Sequence, residues 1–176
     1  MSAHEEAPPP RGGRVARLAL GHGHDVAGVV YGTVVAMATL TAAYANVKDP
    51  WKLAEIVWAT LFVLWIAHVY SHGLAESIAR SKRLDRAELK AISRRELGIL
   101  LAAAGPSAAL LLGAAGVLKV STSVWLALGL GLATLGIEGL RYARVEKLSG
   151  LGTLAVTAAN LALGAFVIVL KVAVAH

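Results

Sequence analysis

Five apolar runs, each near the length of a bilayer-crossing helix and parted by short polar breaks, constrain this chain more than any other feature. They fall at residues 25–46, 51–72, 97–120, 124–142 and 151–174. A helix rises 1.5 Å per residue, so about 20 apolar residues cover a hydrocarbon core of about 30 Å. In lipid the backbone polar groups must be satisfied within the segment, which a helix does and an open strand does not. The expected fold is an all-α membrane protein, a bundle of five transmembrane helices within residues 21–176. Composition agrees, because 57% of the 176 residues are hydrophobic, where soluble domains hold about 45–50%.

The breaks have local causes. In "NVKDPW", Asp49 and Pro50 end one helix and start the next, and Trp51 suits a water–lipid boundary. In "KVSTS", Ser121 or Ser123 is expected to cap the fourth span. In "EKLSGLG", Ser149 and Gly150 supply another tight turn. Pro106 interrupts the third span, frees a backbone carbonyl and is expected to bend it. None of these connections is long enough to hold a domain outside the membrane.

Lysine and arginine set the expected orientation. Arg11, Arg14 and Arg17 precede the first span, a run from Arg80 to Arg95 lies between the second and third, and Arg141, Arg144 and Lys147 lie between the fourth and fifth. The alternate connections hold only Lys48 and Lys119. The positive-inside rule then places the N-terminus in the cytoplasm and the C-terminus outside, in agreement with an odd number of spans. A rival reading takes the first span as a cleaved signal peptide, from the A-x-A element in "TAAYAN", but the run is long for that purpose. Residues 1–20, with Pro8, Pro9 and Pro10 and little to bury, are expected to form a disordered basic cytoplasmic tail. The basic linker at residues 80–96 reads either as an amphipathic helix, with Asp85 and Glu88 in a capping pattern, or as an extension of its neighbours. As a helix it would offer cations to anionic headgroups.

The pI near 9.9 does not imply nucleic acid, since the basic residues sit where membrane orientation requires them. The chain has no cysteine, which excludes disulfides, thiolate metal sites and cysteine nucleophiles. No Walker loop, HExxH or GxSxG motif appears, so no enzymatic role and no cofactor is expected.

Polar residues inside apolar spans are costly and therefore informative. His68, His72 and Glu76 recur at i, i+4 and i+8, so they share one helix face, with Trp65 beside it. Asp25, with His22 and His24, opens the first span at the same expected depth and continues into the small-residue face Gly28, Gly32 and Ala36. Gly28 and Gly32 form a GxxxG pair that admits a close neighbour. Such a His–Asp–Glu group can exchange protons near neutral pH, hold a divalent metal, or simply bond helices together. On the fifth span Thr153, Thr157, Asn160, Gly164 and Lys171 form one stripe, which reads as a hydrated path or as a helix–helix seam.

The string "WIAHVYSH" resembles the second helix of the lysosomal and bacterial potassium channels that lack a conventional selectivity filter. Trp65 and His68 match that family's Trp-x-x-His, and Asp25 matches the aspartate of its first-helix motif. Gly23 and His24 stand where the family carries Phe and Ser, and Ala19 where it carries Arg. The family has six spans per repeat. The resemblance covers the first two helices and implies a packing and hydrogen-bond unit of Asp25, Trp65 and His68. Elsewhere the Ala-, Gly- and Arg-rich usage resembles small membrane proteins of actinobacteria.

The expectation is a multi-pass protein of the bacterial cytoplasmic membrane, self-associating, that carries protons or monovalent cations. Asp25, Trp65, His68, His72 and Glu76 would gate or relay, and Thr157 and Asn160 would line a path. Membrane lipids, with anionic headgroups at the basic linker, are the other expected partners. The alternative is a non-catalytic scaffold or accessory subunit whose polar groups only pin helices together.

Overall fold

The computed structural model describes residues 12–174, and side chains over 26–170 and at Ala173. The expectations placed on residues 1–11 and on the side chains of His22, His24, Asp25 and Lys171 lie outside that range. The described residues contain helices and no strand: α1 (Gly12–Asn46), α2 (Pro50–Arg80), α3 (Arg86–Arg95), α4 (Leu97–Leu101), α5 (Ala104–Ala114), α6 (Val120–Val145) and α7 (Gly150–Val174). Four of them, α1, α2, α6 and α7, are long and apolar enough to cross a membrane, and the bent segment from α3 to α5 makes up to five when its two parts are taken as one span.

Several boundaries differ from the expected spans, each for a local reason. Residues 12–20, expected as part of a tail, are helical and belong to α1. Helix α2 starts where the Asp49 carboxylate accepts the Trp51 N–H at 2.9 Å, with Pro50 in its first turn. It continues past residue 72 to Arg80, and ends on Ser81 in the left-handed region at φ 50°. Pro106 breaks the third span. It has no N–H for the carbonyl of Ala102, four residues back, and its ring crowds that carbonyl. The helix opens at Ala102 and Ala103, and its two parts meet at 45°. The second part stops at Ala114, short of residue 120. Gly116 at φ 75° lets the Val117 N–H reach the Leu112 carbonyl at 3.0 Å, a Schellman closure that favours glycine. Ser121 and Ser123, expected as caps, lie inside α6, where the Ser123 hydroxyl donates to the Val120 carbonyl at 2.8 Å.

Helices α1 and α6 hold the bundle together. The first packs on α2, α4, α6 and α7, and α6 packs on α5 and α7. Met37, Leu40, Leu53, Leu61, Leu110 and Leu128 fill the interior and are fully buried. Small residues set the approach. A Cβ on Gly32 would lie 2.7 Å from the carbonyl oxygen of Ile99, so the GxxxG face of α1 receives the backbone of α4. Outward, α2 carries Trp58, Phe62, Ile66, Tyr70, Leu74 and Ile78 in one exposed i+4 stripe. Exposing such a surface to water costs about 25 cal/mol per Å², a cost that hydrocarbon removes.

Candidate functional site

The site lies where α2 turns back into α3 and α4. Ser81 reverses the chain, and α3 begins with a reciprocal cap. The Glu88 N–H donates to the Asp85 carboxylate at 2.7 Å, and the Asp85 N–H donates to the Glu88 carboxylate at 2.9 Å. The expected capping pattern is thus present, and α3 is a separate helix. It docks on α2 rather than extending it. Ile92 is buried, and Leu84 and Leu89 lie over Gly73, where a Cβ would meet them at 3.4 and 3.9 Å. Trp65 fixes the far end of α3, its indole N–H donating to the Ser93 carbonyl at 3.2 Å, while its ring stacks on Phe62.

This docking brings Glu96, the residue between α3 and α4, against α2. Glu96 is only 6% exposed. Its carboxylate lies 2.7 Å from Nδ1 of His72, whose side chain is 52% exposed. A carboxylate accepts, so Nδ1 of His72 carries the hydrogen and Nε2 is left as the free proton acceptor. His68 follows the same rule one turn along. Its Nδ1 lies 3.1 Å from the Leu64 carbonyl, which only accepts, so Nε2 is again free. The two imidazoles meet edge-on at 5.9 Å between ring centres, and His68 meets Tyr31 of α1 at 5.1 Å. A buried carboxylate, two imidazoles of one tautomer and a phenol therefore follow one another in contact.

Tyr31 also reaches a second feature. An open groove of about 560 Å³ runs between α1, α6 and α7, with apolar walls that include Val30, Val34 and Leu163, and with Tyr31, Tyr142 and Asn160 as its polar points.

The expected residues separate into three groups. Trp65, His68 and His72 come together with Glu96 and Tyr31. Glu76 does not join them. It pairs with Arg80, which also holds Glu88 at 3.0 Å, so that it braces the turn between α2 and α3. Thr157 and Asn160 lie on α7, where both press on Gly139 of α6. A Cβ there would lie 3.0 Å from the Thr157 Cα and 3.0 Å from the Asn160 amide nitrogen. Asn160 donates to the Leu135 carbonyl at 3.4 Å, and the buried Thr157 hydroxyl has no partner. This part of the stripe is a helix–helix seam, with Asn160 alone also reaching the groove. Among the described residues no three His, Asp or Glu side chains converge to hold a metal ion.

Sequence reasoning missed Glu96 and Tyr31. Glu96 sits 24 positions from His72 and reads as one more charge of the basic linker. Its only signal is a carboxylate placed directly before the apolar run of the third span. Comparison with known proteins adds no template for this arrangement: no family model matches the chain, and no curated protein or solved structure matches it significantly.

Proposed function

We propose that this chain is a multi-pass protein of the bacterial cytoplasmic membrane, N-terminus inside and C-terminus outside, that exchanges protons at its cytoplasmic end. Its transported species is then the proton or a monovalent cation moved with it. The observation that supports this reading is the contact series from Glu96 through His72 and His68 to Tyr31. Imidazole is the side chain suited to gaining and losing protons near neutral pH, and the two rings stand in one series with a carboxylate and a phenol. Both free Nε2 atoms are available for the exchange. A hydrated ion path through one chain is disfavoured by Met37, Leu40, Leu128 and Leu135, which close the interior. We therefore place any continuous path between copies of the chain, as a homo-oligomer.

The test is flux in proteoliposomes. Proteoliposomes loaded with a pH-sensitive dye and subjected to a potassium gradient should show proton movement that falls several-fold in His72→Ala and Glu96→Gln. Silence of the wild-type protein at two pH values would remove the reading.

A second reading, an accessory or scaffold subunit, is favoured by the closed α6–α7 seam at Gly139, Thr157 and Asn160. In that case Asn160→Ala and His68→Ala lower stability or partner recovery, and no variant alters flux.

A further inference from the structure

The turn between α2 and α4 is rich in charge of both signs, yet only its cations are left unpaired. Each carboxylate in it already has a partner. Glu76 and Glu88 share Arg80, Asp85 and Glu88 cap α3, and Glu96 holds His72. Lys82, Arg83, Arg86, Lys90, Arg94 and Arg95 are exposed, and among the described residues none of them meets a carboxylate. Arg86, Lys90 and Arg94 stand at i, i+4 and i+8, on the face of α3 opposite buried Ile92. The helix therefore turns its apolar side to α2 and a stripe of three cations away from it.

The level of this stripe identifies its partner. Helix α3 cannot swing out as a free arm, because the Trp65 indole holds the Ser93 carbonyl and His72 holds Glu96. Trp65 belongs to a helix long and apolar enough to cross a membrane, and α3 itself opens the bent pair Arg86–Leu101 and Ala104–Ala114, whose two parts together pass the same test. The cations thus stand at the charged start of that bent segment, next to the turn that ends α2 at Arg80, where a chain crossing a bilayer meets its phosphates. We infer that the Arg86–Lys90–Arg94 face of α3 is a docking surface for the phosphate headgroups of anionic phospholipids. Arginine is suited to this contact because its planar fork meets phosphate oxygens in pairs. The inference stands apart from proton exchange and holds for a transporter or a scaffold alike.

Native mass spectrometry of the full chain in neutral detergent tests it, with phosphatidylglycerol and phosphatidylcholine as probes. Each cation near a phosphate layer contributes about fivefold to binding. Phosphatidylglycerol should be retained over phosphatidylcholine, and Arg86→Gln/Lys90→Gln/Arg94→Gln should lower its retention by roughly tenfold or more. Raising salt from about 0.05 M to about 0.5 M should weaken the wild-type preference in the same direction. The charge-keeping Arg86→Lys/Arg94→Lys variant should retain most of the preference, and Arg144→Gln/Lys147→Gln on the other basic turn should retain all of it. Equal retention of the two lipids by wild type overturns the inference. So does a preference that survives the triple substitution, or one lost equally in the Arg144/Lys147 variant. If an acidic peptide or an oligonucleotide strips the lipid at equal charge concentration and stays bound, the surface belongs to a macromolecule instead.

Discussion

The Glu96 carboxylate lies 2.7 Å from Nδ1 of His72, and it is the nearly buried partner of a half-exposed one. The asymmetry decides what the pair does. Glu96 is held by the junction of α3 and α4, so its carboxylate is fixed in place while the His72 ring stays open to its surroundings. Removing the carboxylate costs a charge-assisted hydrogen bond, discounted because His72 is exposed. Glu96→Ala is expected to lower stability by about 1 kcal/mol, and Glu96→Gln by less, since its amide oxygen still accepts. Nitrogen-15 spectra of labelled histidine should show His68 and His72 as Nδ1–H tautomers when neutral. An Nε2–H signal from His72 would mean that the pair does not form as described.

The contact of Gly32 with Ile99 predicts a second result. The atoms a Cβ would strike are backbone, at 2.7 Å for the carbonyl oxygen and 2.9 Å for the Cα, and cannot rotate away. Gly32→Ala should therefore cost about 1–3 kcal/mol by forcing α1 from α4. Gly129, in α6, has open space where a Cβ would go. Gly129→Ala should be neutral or stabilising by up to about 1 kcal/mol. Detergent-solubilised thermal unfolding compares the two, and equal effects would contradict this packing.

Ser81 predicts a gain. It ends α2 at φ 50°, a region that costs a side-chain-bearing residue about 1–2 kcal/mol relative to glycine. Ser81→Gly should raise the melting temperature by a few degrees, with the extra freedom of glycine in the unfolded chain offsetting part of the gain. A fall in melting temperature would show that the turn between α2 and α3 does not hold this conformation.

What was legible in the sequence is what a single segment determines. A run of apolar residues has to become a helix if it lies in lipid, and this holds whatever its neighbours are. Asp49 with Pro50, Asp85 with Glu88, and Pro106 act within one turn of backbone, so the start of α2, the cap of α3 and the bend before α5 could be read directly. The i+4 spacing likewise put His68 and His72 on one face.

Which partner that face meets was not legible. Glu76 continues the spacing and has the right charge, yet Arg80 takes it, and Glu96 arrives from another helix. That outcome depends on α3 folding back over Gly73 and on α4 settling into the face of Gly28 and Gly32. The same holds for Thr157 and Asn160, whose stripe reads more readily as a seam than as a path but names no partner until Gly139 closes on it. Local sequence determines each helix and the face on which its polar groups lie. Only the tertiary structure decides which faces touch, because that depends on contacts of a few ångströms between backbones far apart in the chain.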